Sequence, residues 1–185
     1  MDGSGIPAGA EAATATVSVW DPLVRVFHWS LVTAYATAWI ADAEHAVHRG
    51  AGYVVLALVG FRLVWGLIGP RHARFKAFVP GPRRLLAYLR SLLRGRAARH
   101  LGHNPAGGAM IVALLALLVA LGVTGWLQTT DTFWGSEWLE ETHEALAYAS
   151  LLLVGLHLSG VLASSLMHRE NLVRAMLTGR KPLRT

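Results

Sequence analysis

The sequence predicts an all-α integral membrane protein, a four-helix bundle with an interfacial amphipathic helix between its second and third spans. Three observations carry that expectation. Of 185 residues, 54% are apolar and only 15% charged, less charge than a soluble domain of this size ordinarily holds. Apolar runs of membrane length recur four times, at about 26–41, 50–69, 107–127 and 145–167. Bases are concentrated in alternate connections, with acids in the others.

Taken in order, residues 1–18 read as a disordered cytoplasmic tail. MDGSGIPAGAEAATAT is small, weakly polar and lacks the basic start of a secretory signal. Residues 19–170 hold the four spans. A bilayer core of about 30 Å takes about 20 helical residues, and the first run, though short, is extended by its flanks. Backbone groups cannot stay unpaired in lipid, so the spans are helices.

The 2–3 connection carries Arg71, Arg74, Lys76, Arg83, Arg84, Arg90, Arg94, Arg96 and Arg99 without an acid. Within it, RRLLAYLRSLLRG puts Leu85, Leu86, Leu89, Leu92 and Leu93 on one helical face and arginines on the other, the pattern of a helix lying on the inner leaflet. The 3–4 connection has Asp131, Glu137, Glu140 and Glu141 and no base, and Asp42 and Glu44 lie between the first two spans. Residues 171–185 form a basic tail. By the positive-inside rule both termini and the 2–3 loop are cytoplasmic. The net charge of +6 thus reflects topology, with lipid and not nucleic acid as the partner.

No cysteine is present, which excludes disulfides, thiolate metal sites and covalently attached haem. Nine histidines remain. His143 and His157, in HEALAYASLLLVGLH, are fourteen residues apart. At 100° and 1.5 Å per residue, that is an advance of about 21 Å and a return to within about 40° of the same face. Both therefore point into one seam of the bundle, at two depths. His28, in VRVFHWSL, matches the inner depth, and His48, in AEHAVHRGAGY, the outer. Paired as His28 with His157 and His48 with His143, they form two bis-imidazole cages for haem iron. A lone intramembrane histidine is more often a hydrogen-bonded residue between helices, but four matched in depth are hard to obtain that way. Zinc or bare iron wants three or four ligands, and each level offers two. His45 competes with His48, although it lies nearer the loop and beside Glu44.

Arg62 is fourteen residues beyond His48 and so faces the same seam near the inner pair. An intramembrane arginine needs an anion, for which a haem propionate would serve; the alternative is snorkelling to the inner head groups. Glycines in spans two to four allow close approach of helices or of a flat macrocycle. Span three has no internal histidine and reads as a wall.

With these residues in place, the chain resembles the bacterial cytochrome b561 family, four-helix di-haem proteins that include the b-type cytochrome subunits of nickel–iron hydrogenases. The resemblance covers about residues 19–183. It rests on VWDPLVRVFHWS, HRGAGY, FRLVWGLIGPRHARF, LGHNPAGG, HEALAYASLLLVGLH and HRENLVRAMLTGRKP. It implies two non-covalent haems b, with His28, His48, His143 and His157 as ligands. It also implies electron transfer between a membrane quinone and a periplasmic redox protein such as a c-type cytochrome, the chain being an electron-transfer subunit more than a stand-alone enzyme. The acidic, aromatic DTFWGSEWLEE would steer a basic partner, unless Trp134 and Trp138 serve only as interface anchors. A quinone site needs a proton donor that titrates near neutrality. Arg62, His72 and His103 would supply such a site at the cytoplasmic rim, although both histidines also fit solvated loops. Two other readings stay open. One is a superoxide:quinone oxidoreductase, which a cationic outer surface would favour over the acidic one here; the other is a haem-free membrane scaffold.

Overall fold

Asp21 and Pro22 start the first long helix: the Asp21 carboxylate accepts from the Leu23 and Val24 amides at 3.0 and 3.1 Å, and proline suits the first turn. The computed structural model describes residues 16–41, 46–70 and 73–182. They form β1 (Thr16–Ser18), α1 (Pro22–Ile40), α2 (Ala46–Ile68), α3 (Phe75–Phe78), α4 (Pro82–Leu93), α5 (Pro105–Leu127), α6 (Glu137–His168), α7 (Leu172–Thr178) and β2 (Arg180–Pro182). Asn104 and Pro105 repeat the opening device at α5, with the Asn104 side chain accepting from Gly107 N at 2.7 Å.

Among the described residues three helices, α2, α5 and α6, are long and apolar enough to cross a membrane. The expected first span, α1, is not among them. It has 19 residues, but Arg25, His28, Ser30, Thr33 and Thr37 dilute its apolar character. Thr33 and Thr37 turn their hydroxyls back onto the Trp29 and Thr33 carbonyls, at 3.0 and 2.9 Å, so the helix satisfies them itself. The fourth run, expected from 145, begins as helix at Glu137, because Glu137 and Glu140 suit the positive end of a helix.

α1 packs on α2, α2 on α5, and α5 on α6. Phe27 and Ala34 meet Val55 and Val59 and then Leu115 and Leu118 in the shared core. α6 makes its extensive packing with α5, and polar and aromatic contacts bridge from it to α1: Tyr35 Oη lies 2.8 Å from the fully buried Ser150 Oγ, and Trp39 meets Tyr148 edge-on. Leu152, Leu158, Leu162 and Leu166 of α6 stand exposed, an apolar surface that water disfavours and lipid accepts. In α4, Tyr88 is buried and Leu85 and Leu92 are half-buried, while Leu86, Leu89 and Leu93 are exposed. The helix packs on α5, so its apolar side is divided between that contact and an open flank.

Both ends of the described chain depart from the sequence reading. Residues 16–18, expected in a disordered tail, pair antiparallel with 180–182: Thr16 with Pro182, Val17 with Lys181, Ser18 with Arg180. Residues 171–182, expected as a plain basic tail, form α7 and β2. Asn171 caps α7 through Arg174 N at 2.7 Å, and Gly179, at φ 80°, reverses the chain in a conformation that side chains resist. Glu170 then gathers Arg99 and Lys181, the latter at 3.5 Å.

Candidate cofactor-binding site

α2 and α6 bring His48 and His143 together, with ring centroids 6.4 Å apart and planes at 73°. Neither ring is free to turn. His48 Nδ1–H donates to the Ala38 carbonyl at 2.9 Å, since a carbonyl only accepts. His143 Nδ1 lies 3.0 Å from Thr124 Oγ1, whose own proton goes to the Ala120 and Leu121 carbonyls, each at 3.0 Å. The Leu121 carbonyl is also within hydrogen-bonding reach of the His143 ring. These acceptors place the proton of each ring on Nδ1 and leave each Nε2 lone pair for a metal. Gly125 supplies the room, for a Cβ there would stand 2.9 Å from His143 Cε1.

His28 on α1 and His157 on α6 lie close enough to interact electrostatically. His28 Nδ1 is buried without a hydrogen-bond partner, and its ring meets Trp29 edge-on at 5.1 Å. A buried unpaired nitrogen costs about 1–3 kcal/mol. Among the described residues His28 thus lacks an acceptor of the kind that holds each ring of the outer pair.

Arg62 does not snorkel. It is 3% exposed, donates from Nη2 to the Ala73 carbonyl at 3.0 Å, and lies over the Phe75 ring at 4.8 Å and the Phe78 ring at 5.8 Å. Phe75 in turn rests on Gly66, where there is no room for a side chain. Among the described residues Arg62 Nη1 has no partner, as expected of a buried cation with one donor left for an anion.

His103 lies between the Trp20 and Phe78 rings, at 4.5 and 4.7 Å. Burial, followed by the positive charges of Arg62 and Lys181 and by His157, pushes its pKa down to about 3. The expectation of a proton donor that titrates near neutrality is therefore corrected: this imidazole is neutral at pH 7. His72 and His45 lie outside the described residues.

Sequence reading overlooked Thr124 and the Ala38 carbonyl, whose partners sit on other helices. It also gave Trp20 and Asp21 no role, although Asp21 caps α1 and accepts from Trp65 Nε1 at 3.3 Å. The WD pair that opens span one was the available signal.

A family model described as prokaryotic cytochrome b561 matches residues 19–179. The chain belongs to that family. It is also 21% identical, over a 215-residue alignment covering 91% of this chain and 87% of the relative, to a probable Ni/Fe-hydrogenase B-type cytochrome subunit of Bradyrhizobium diazoefficiens. No solved structure matches it. Membership of the cytochrome b561 family, with three apolar helices of spanning length, makes the chain an integral membrane protein that binds b-type haem and transfers electrons.

The outer residues fit that group. Two metal–nitrogen bonds of about 2 Å, with about 1 Å from each nitrogen to its ring centre, separate axial imidazoles by about 6 Å, close to the 6.4 Å between the His48 and His143 rings. Porphyrin supplies four nitrogens to its iron, so two imidazoles are enough to complete a six-coordinate haem. Among the described residues no group of three or more histidines and carboxylates could hold a bare metal ion.

Proposed function

We propose that this cytochrome b561 is a di-haem conduit that carries single electrons across the inner membrane between a periplasmic redox protein, such as a c-type cytochrome, and the quinone pool. His48 and His143 hold the outer haem b, and His28 and His157 the inner one. The observation that carries the reading is the outer pair: two imidazoles with ring centroids 6.4 Å apart, each held through Nδ1 by an oxygen of another helix, which leaves Nε2 as the nitrogen for a metal. Haem, when bound, supplies one-electron chemistry at a potential set by its ligands and surroundings.

The chain's own residues do the rest. α1 acts as the fourth span, its 19 residues covering about 28 Å. The arginines of α4 lie along the inner leaflet, with both termini on the cytoplasmic side. Arg62 Nη1 binds a propionate of the inner haem. Arg62 and His103 bound a quinone site at the cytoplasmic rim, to which the sequence alone adds His72, outside the described residues. His103 serves as a neutral hydrogen-bonding ring, so the proton comes from another group or from water.

The outer surface supports a basic partner: Trp134 is 79% exposed among Asp131, Glu137, Glu140 and Glu141. The same acidity repels superoxide and leaves the superoxide-oxidising reading without a cationic funnel. Pyridine haemochrome analysis of the purified protein tests the proposal. Two haems b per chain are expected, and one or none overturns the pairing.

A further inference from the structure

The two histidine pairs differ in what stands behind their rings, and that difference has a redox meaning. On the outer side His48 Nδ1–H donates to the Ala38 carbonyl at 2.9 Å. His143 Nδ1–H donates to Thr124 Oγ1 at 3.0 Å, a hydroxyl whose proton is engaged by two helix carbonyls at the same distance. A ring that gives its Nδ1–H to a fixed acceptor gains electron density at Nε2 and becomes a stronger donor to iron. Stronger donation favours the ferric state and lowers the reduction potential. The carboxylates of Glu140, Glu141 and Glu144, on the same helix as His143, act in the same direction.

On the inner side the surroundings are opposite. His28 Nδ1 is buried with no acceptor. Arg62 lies buried with Nη1 unpartnered, and Lys181 is 4% exposed and close enough to act on His103. Buried positive charge disfavours the ferric state, which carries one more positive charge than the ferrous, and so raises the potential.

We propose that Thr124 is a positioning residue that, with the Ala38 carbonyl, holds the outer haem at a lower reduction potential than the inner haem, so that electron flow runs downhill from the periplasmic to the cytoplasmic side. The inference rests on the di-haem reading above. The balance is two one-electron oxidations of a reduced carrier protein outside for each quinone that takes up two electrons and two inner-side protons to give quinol. Gly125 stands beside the same ring: a Cβ there would lie 2.9 Å from His143 Cε1, so the imidazole would have to shift.

The test is a spectroelectrochemical titration of the holoprotein, with the bands assigned from single-haem variants, His143→Ala for the inner haem and His157→Ala for the outer. In the wild type the outer haem is expected to be the lower in potential. Thr124→Val should raise only the outer midpoint, by about tenfold in the reduced-to-oxidised ratio, which is about 59 mV for one electron. Thr124→Ser should restore it. An outer haem that titrates above the inner overturns the proposal even if both Thr124 variants misfold. So does a Thr124→Val protein that keeps two haems with both midpoints unmoved, or with the inner one moved instead. A wild-type haem content below two per chain counts against the di-haem reading itself, which separates the two failures.

Discussion

Alanine in place of His48 or His143 removes one of two facing rings and leaves the other with a free Nε2 in a gap between helices. Haem content should fall from two to about one per chain, with the inner haem's spectrum retained; His28→Ala or His157→Ala should leave the outer spectrum instead. Pyridine haemochrome and low-temperature difference spectra check both. Loss of the same band from all four variants would contradict the division into levels. The four histidines were legible because helical periodicity alone sets their faces and depths. Thr124 was not. It precedes His143 by nineteen residues, and only the α5–α6 turn brings the two side by side. The Ala38 acceptor is a main-chain atom and leaves no mark in the sequence at all. For Arg62, sequence reading left two environments open, and the structure decides for the buried one, through the covering rings of Phe75 and Phe78.

The helices themselves were legible to within a turn or two, since apolar runs, Asp-Pro and Asn-Pro openings and acidic first turns are local signals. The motifs that mark the family prove largely architectural. In VWDPLVRVFHWS, Trp20 packs on His103, Asp21 caps, and Arg25 donates to the Leu177 carbonyl. In LGHNPAGG, Asn104 caps, and Gly108 lets α5 close on the Phe78 carbonyl. The pieces after α6 escaped because three-residue strands carry no periodicity and their partners lie at the far end of the chain. His103 makes this assembly acid-sensitive. Its pKa lies at about 3 in the folded chain against an ordinary 6.5, so between those values the unfolded chain binds a proton that the folded chain does not. Stability should therefore be fully present above about pH 6.5 and fall as pH drops through that window, with a slope approaching about 1.4 kcal/mol per pH unit from this group. Thermal melts in detergent at pH 7, 5.5 and 4.5 measure it; His103→Gln should flatten the dependence, and parallel curves for variant and wild type would refute the assignment.

For the molecule as a whole, charge and packing should agree on one orientation in the bilayer. A fluorescent protein fused after Thr185 is expected to fluoresce, and alkaline phosphatase fused there to be inactive; the reverse pattern would invert every statement about inner and outer. In stopped-flow reoxidation of the dithionite-reduced protein by a soluble quinone analogue, Arg62→Leu with both haems intact should react about tenfold more slowly or worse. An unchanged rate, with slowing instead from substitutions around Trp134, would move the quinone to the outer face. One consequence belongs to biogenesis. The pairing of Thr16 with Pro182 joins residues between which every long helix is made. The amides of Val19 and Trp20 donate to the Gly179 carbonyl, at 2.9 and 3.2 Å, so the approach to α1 has its partners only once α7 has been made. The α1–α2 and α5–α6 hairpins can form as each emerges, because their contacts are close in sequence. A chain cut short before Gly179 would thus insert its long helices and still leave the N-terminal end of its first helix unfastened.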